Sequence, residues 1–323
     1  MELTTNANDL TFGIEIETHI SRTAPVMVGS YYNRNGANVG DALPRNHAGR
    51  PWQCKEDGSI VTPNSDRRTA EFVSPIMRGA ADLRNVENVV RIIRADLGTT
   101  HTADDGTEYN GLGAKVNSSC GVHVHVAFPS DKIADLRKLV ALVGGYEKGI
   151  FAATGTKNRE RGRWARPIKG AWDTVYKNQL RAARTMYGAR DVSVLNERYF
   201  GLNLSSFLSG RRPAVEFRFF GGSTNPAKIA AYVQMCVGLV QLALSMPASA
   251  HWDSAPAGPK FGRNDGPGVR EINRLMSRLG WITTPKKRGY RAGIMAEGEE
   301  AKTEARRLKR TLRALATKYD ASA

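Results

Sequence analysis

Four short runs carry the residues that could do chemistry: Phe12-Gly-Ile-Glu15-Ile-Glu17, Glu71-Phe-Val-Ser-Pro75, Cys120-Gly-Val-His123-Val-His125-Val126 and Val215-Glu216-Phe-Arg218-Phe219. Extended chain sends alternate side chains to one face. Glu15 with Glu17, His123 with His125, and Glu216 with Arg218 therefore form same-face pairs whose apolar neighbours point the other way. Acids placed side by side need cations to be tolerated. Carboxylates outnumber imidazoles in this set and thiolates hardly enter it, which suits Mg²⁺ or Mn²⁺ better than structural zinc. Cys120 stands near the histidines, but the next thiols are remote in sequence, which weakens a zinc site. A surface of this kind fits phosphate chemistry. The chain has neither a Gly-x-x-x-x-Gly-Lys-[Ser/Thr] phosphate loop nor a Gly-x-Gly-x-x-Gly dinucleotide turn.

The elements that must position these residues can be read from periodicity. Leu10 to Ile20 alternates as a strand. A long Gly-, Asn- and Pro-bearing loop follows from Arg22 to Pro51, a candidate flap. Trp52 to Val61 centres on Asp57-Gly58 and reads as a hairpin, with Arg68 to Ile76 as the next strand. Leu83, Val86, Val89, Val90, Ile93 and Leu97 recur at helical spacing up to Gly98. Gly121 to Phe128 is a further strand, and Ser130 is placed to cap the helix after it. Arg159 to Lys169 is too basic for a core element and reads as a loop over a polyanion site. Tyr199 to Phe207 and Ala214 to Phe220 read as a strand pair turning at Ser209-Gly210. Asn225 and Pro226 then open a long buried helix to about Leu244, and Glu299 to Lys318 is a basic helix. Strands and helices without strict alternation predict an α+β fold with a mainly antiparallel sheet.

Composition limits the function classes. The 323 residues are 41% hydrophobic, enough for a substantial core. The most apolar stretch, Ala230 to Met246, is interrupted by Gln234 and Gln241 and falls short of a membrane span. Three scattered cysteines argue for a reducing compartment, so the cytoplasm is the expected location. The net charge is +16, and from His251 onward 16 Lys and Arg stand against 8 Asp and Glu. That tail favours polyanions or phosphorylated substrates. The expected organisation is a catalytic domain over residues 1–250 and a basic helical extension over 251–323.

Taken in order, Gly13-Ile-Glu15-Ile-Glu17, Asp57-Gly58-Ser59-Ile60, Glu71-Phe-Val-Ser-Pro75, Gly121-Val-His123-Val-His125 and Glu216-Phe-Arg218 resemble the amidoligases, relatives of glutamine synthetase and the glutamate-cysteine ligases. The resemblance covers about residues 10 to 245 and includes the Asn225-Pro226 helix start. It implies a sheet of the glutamine synthetase and glutamate-cysteine ligase type, with helices packed on one face. It further implies that Glu15, Glu17, Glu71, His123 and Glu216 hold Mg²⁺ or Mn²⁺. His125, Arg218, Asn203 and Lys55 would contact ATP or the moving phosphoryl group, with Glu216, Arg218 and Arg198 as the catalytic set. Asp57 and Ser59 would face the acceptor amine. The implied activity is ATP-dependent joining of a carboxylate to an amine through an acyl phosphate, on small-molecule or peptide substrates. Two other readings stand beside it: a metal-dependent hydrolase on the same scaffold, and a basic nucleic-acid-binding protein.

Overall fold

Burial of Phe12, Ile14 and Ile16 on one side of an extended run builds β1 (Thr11–Ser21) and turns Glu15 and Glu17 to its other side. The computed structural model describes residues 3–30, 37–168, 174–247, 265–282, 292–294 and 298–322. These divide into two units. One takes Thr11–Val124 and Gly221–Val233; the other takes Met1–Leu10, His125–Phe220 and Gln234–Ala323.

In the first unit, β1 is followed by β2 (Ala37–Asn38), β3 (Gln53–Lys55), β4 (Arg67–Val73), β5 (Met77–Arg78), helix α1 (Gly79–Arg94), the hairpin β6 (Thr100–Thr102) and β7 (Glu108–Asn110), and β8 (Gly121–Ala127). The strand order is β2-β3-β4-β1-β8, and β5 pairs with the start of β1. β4 runs antiparallel to both β1 and β3, with Glu71 opposite Glu17 on one side and Lys55 on the other. Most of the 22–51 loop is irregular apart from β2 and a single helical turn, and 31–36 lies outside the described residues. Its second half is tied to α1. Asp82, fully buried, accepts hydrogen bonds from the Arg78 N–H and from the His47 backbone and ring nitrogens. Asn85 accepts from the Trp52 indole and donates to the carbonyls of Pro44 and Arg45.

Two boundaries differ from the sequence reading. The hairpin over 52–61 keeps its turn, closed by Ile60 N–H to the Asp57 carbonyl, but its return arm is absent. Val61 instead bonds Ser119 and Asn117, and β3 finds its partner in β4. Helix α1 stops at Arg94 rather than reaching Gly98. The N–H groups of Leu112, Ala114 and Gly113 take the carbonyls of Ile92, Ile93 and Ala95 that another turn would have used. Gly111 permits this approach, since a Cβ there would lie 2.4 Å from the Asp96 oxygen.

The second unit contains α2 (Ile133–Ala152), the short α3 (Asn158–Arg161), α4 (Thr174–Ala182), α5 (Met186–Ala189), α6 (Ser193–Asn196), β9 (Leu202–Asn203), α7 (Ser205–Leu208), β10 (Ala214–Gly221), α8 (Pro226–Ser245) from Gln234 onward, α9 (Pro267–Arg278) and α10 (Gly298–Ala321). The expected strand Tyr199–Phe207 contracts to the two residues of β9. The Asn203 side chain accepts both the N–H and the hydroxyl of Ser205 and so starts the turn α7. Ser130 is not the cap of α2, which begins after Lys132; its hydroxyl accepts from Lys132 N–H and donates to Asp135. Residues 159–168 are not a free loop either. They open with α3, bury Ala165 and Ile168, bridge Arg166 to Phe200 and fix the Ile168 N–H on Glu147; Lys169 lies outside the described residues.

Asn225 caps α8 through the Lys228 N–H. This helix is long and apolar enough to cross a membrane, which the two glutamines do not prevent, but 83% of its apolar window is buried inside the protein. Gln241 spends its amide on the Thr5 carbonyl and the Gly293 N–H. The residues around the expected 250/251 boundary lie outside those described. Beyond them α9 packs against α2 and α10.

The far end of α10 closes this arrangement. The two Asp320 oxygens accept from the N–H groups of Gly268 and Val269 at 2.6 and 3.0 Å, giving the start of α9 a cap from 52 residues away. Tyr319 bonds Glu160, and Lys157 reaches the Ser322 carbonyl. Asp320→Ala is expected to cost about 1 kcal/mol of stability, the usual worth of a charged cap. Chemical denaturation of the full chain measures it; an unchanged midpoint would remove Asp320 from the capping role.

Candidate active site

The row Lys55, Glu71, Glu17 crosses three adjacent strands, and β8 adds His123 beside it. Lys55 Nζ stands 2.8 Å from Glu71 Oε2. His123 places Nδ1 3.2 Å from Glu15 Oε2 and Nε2 3.6 Å from Glu17 Oε1. The Gly121 N–H donates to the other Glu17 oxygen, which fixes the carboxylate's direction. Glu17, Glu71 and His123 are all buried, and each offers a ligand atom within 4.8 Å of the others. Two buried carboxylates and one imidazole at that spacing fit a hard divalent cation, which would also supply the charge they lack.

Electrostatics single out Glu71. Burial, reinforced by the neighbouring Glu15 charge, pushes its carboxyl up to about 8, against the pull of Lys55. For Lys55, burial works against the ammonium, but the neighbouring acids, Glu71 foremost and then Glu15 and Asp57, together outweigh this and its pKa lies above the ordinary lysine value. Asp57 contributes to both shifts from the turn after β3, where its carboxylate holds the Ser59 N–H at 2.7 Å. Ser59 itself is exposed.

The second unit holds the other expected residues. Glu216 faces Asn203 across the β10–β9 pair and is buried. Its carboxylate accepts from Asn203 Nδ2 and from Arg218 Nη1, both at 2.5 Å. Glu216, Asn203 and Arg218 thus form one hydrogen-bonded group. His125 is half-buried on β8. Arg198 is exposed and lies over the Tyr199 ring, 5.3 Å from its centroid.

His19 was not foreseen. It continues the alternation of Glu15 and Glu17 and is buried, its ring Nδ1 accepting from Arg67 Nε. Burial and the Arg67 charge lower its pKa. Arg67 also holds the carbonyls of His19 and Gly113, so the pair anchors the end of β1 rather than offering a ligand. The period-two spacing was the available signal.

Because the folded-state pKa of Glu71 lies above the ordinary value of 4.5, its contribution to stability is complete below that value and is lost as pH rises through about 8. In EDTA the melting temperature should therefore fall between about pH 4.5 and pH 8 and level off above, and Glu71→Gln should flatten that slope. Saturating Mn²⁺ should flatten it too. An equally steep slope in Glu71→Gln would assign the pH dependence to another group.

No curated protein matches this chain. Residues 109–240 match the family described as "putative amidoligase enzyme", a segment from β7 into α8 that includes His123, His125, Asn203, Glu216 and Arg218; this is the family that the ordered motifs resemble.

Proposed function

We propose that the protein is an ATP-dependent carboxylate-amine ligase that works through an acyl phosphate, on a sheet of the glutamine synthetase type. The family match points to an amide-bond-forming enzyme. The observation that carries the finer reading is the buried group of Glu17, Glu71 and His123 with Lys55 at its edge. Glu17, Glu71 and His123 would hold Mg²⁺ or Mn²⁺, and on the resemblance Glu15 and Glu216 join them as ligands. The ion neutralises phosphoryl oxygens when bound.

The chain's own groups would then act as follows. Glu71 would give up its proton on cation binding, since burial and the neighbouring Glu15 charge raise its pKa to about 8. Lys55 keeps a positive charge beside Glu71 and is the proposed contact for a phosphate oxygen. Arg218, with His125, Asn203 and Arg198, is proposed to steady the nucleotide and the γ-phosphoryl group; Glu216 fixes the Arg218 guanidinium. The substrate carboxylate takes that phosphoryl group and releases ADP. Asp57 and Ser59 are proposed to face the acceptor, whose amine attacks the acyl carbon as phosphate leaves. Positioning and charge neutralisation account for most of the catalysis in such transfers. The substrates are proposed to be small-molecule or peptide carboxylates and amines, with the basic tail available to polyanions. Buried free thiols at Cys54, Cys120 and Cys236 favour a cytoplasmic setting.

A mass-spectrometric screen of carboxylate and amine mixtures with ATP tests the reading. Condensed product should appear with stoichiometric ADP and phosphate, and hydroxylamine should trap the acyl phosphate as a hydroxamate. Glu71→Gln should lower turnover by about 10²-fold or more while the protein still melts cooperatively. ATP should bind only with Mg²⁺ or Mn²⁺, so calorimetry showing equal affinity in EDTA would overturn the metal assignment. Turnover that needs no ATP would move the same cluster to a metal-dependent hydrolase.

A further inference from the structure

The segment 163–166 and Tyr199, ahead of β9, line an open cavity of about 280 Å³ that shares no residue with the acidic group described above. It is lined by Arg163, Trp164, Arg166 and Tyr199. Among the described residues its walls are two aromatic rings and its charges are two guanidinium groups. The rings meet edge to face, with centroids 5.4 Å apart and planes at 63°. Arg163 lies over the Trp164 ring at 4.3 Å, and Arg166 over Phe200 at 4.6 Å. Stacking fixes each guanidinium on a ring face while leaving its in-plane N–H fork to meet an acceptor.

The backbone makes this cavity a preformed one. Arg166 donates its N–H to the Tyr199 carbonyl at 2.8 Å and accepts from the Gly201 N–H at 3.0 Å, pinning the two walls together. Ala165 and Phe200 are buried behind them. Gly201 lets the strand lie against Phe219, whose ring a Cβ would meet at 2.2 Å. Arg166 already pairs with the Glu197 carboxylate, a partly exposed pair of small net worth. Arg163 is exposed, and among the described residues no carboxylate pairs with it.

We infer that this cavity binds a small aryl anion: a flat conjugated ring lying against Trp164 and Tyr199, with a carboxylate or phosphate held by Arg163 and, in exchange for Glu197, by Arg166. An isolated ring would leave the guanidinium forks in water, and a bare anion would leave the aromatic walls wet. A ligand with both parts satisfies both kinds of described lining group. The net charge of +16 favours the anionic partner at long range. This inference does not depend on the ligase reading.

Calorimetric titration of the full chain with 2-naphthoate and with 1-naphthyl phosphate tests it, and the ratio of the two affinities identifies the anionic head. 2-Naphthol and inorganic phosphate, each carrying one half of the recognition, should bind at least about tenfold more weakly. Arg163→Gln and Trp164→Leu should each weaken the aryl anion by about tenfold, the loss expected of one stacked or charged contact. Glu71→Gln should leave it unchanged. Because Trp164 is half-buried, a melted Trp164→Leu would leave the exposed Arg163→Gln to decide. The inference is overturned if neither aryl anion binds, if inorganic phosphate binds as tightly, if Arg163→Gln has no effect, or if binding disappears in Glu71→Gln.

Discussion

Two buried carboxylates face each other across the β1–β4 ladder. Glu17 and Glu71 occupy directly opposed positions, the closest approach that a sheet offers two side chains, and like charges there are destabilising. The unit meets this in three ways: the Gly121 N–H on Glu17, the Lys55 ammonium on Glu71, and a Glu71 carboxyl whose pKa burial and the Glu15 charge push up to about 8. Each is a partial answer. A divalent cation would satisfy both acids at once, so the cost of this register makes sense if the site spends part of its cycle loaded.

The surrounding structure keeps that register from slipping. A shift by one residue would turn Phe12, Ile14 and Ile16 out of the core and Glu15 and Glu17 into it. Arg67 clamps His19 at the end of β1, and β5 pairs with its beginning, so the strand is held from both ends. The long loop before β3 is tied to α1 by Asp82 and Asn85, which fixes the approach of Lys55 to the sheet.

Much of this was legible in the sequence because alternation is a local signal. Phe12-x-Ile14-x-Ile16 and Val122-x-Val124-x-Val126 identify the strands and the sides on which Glu15, Glu17, His123 and His125 lie. Register is not local. Nothing near Glu71 says that it meets Glu17 and Lys55 rather than their neighbours, so the raised pKa of Glu71 and the partner of Lys55 appear only in the fold. The boundaries that moved did so for tertiary reasons as well. Helix α1 loses its last turn to the N–H groups of residues 112–114, and the expected strand before α7 gives way to the Asn203 side chain. The cap of α9 sits at Asp320, beyond the reach of any rule based on adjacent residues.

Glu71 and Glu216 show how one residue type is given different tasks. Both are buried and both sit on strands, yet Glu216 has each oxygen engaged by a fixed donor, Asn203 on one and Arg218 on the other. Such a carboxylate is oriented before any ligand arrives, and in holding Arg218 it fixes the direction of a guanidinium. Glu71 has a single flexible ammonium and two acidic neighbours, so its environment changes most when a cation enters. Replacing each by glutamine should therefore have unlike effects. At Glu71 an amide mimics the protonated form that the metal-free site already prefers, so stability is kept and cation binding is lost. At Glu216 the amide must present an N–H to a donor that is already there, so the positions of Arg218 and Asn203 are disturbed as well.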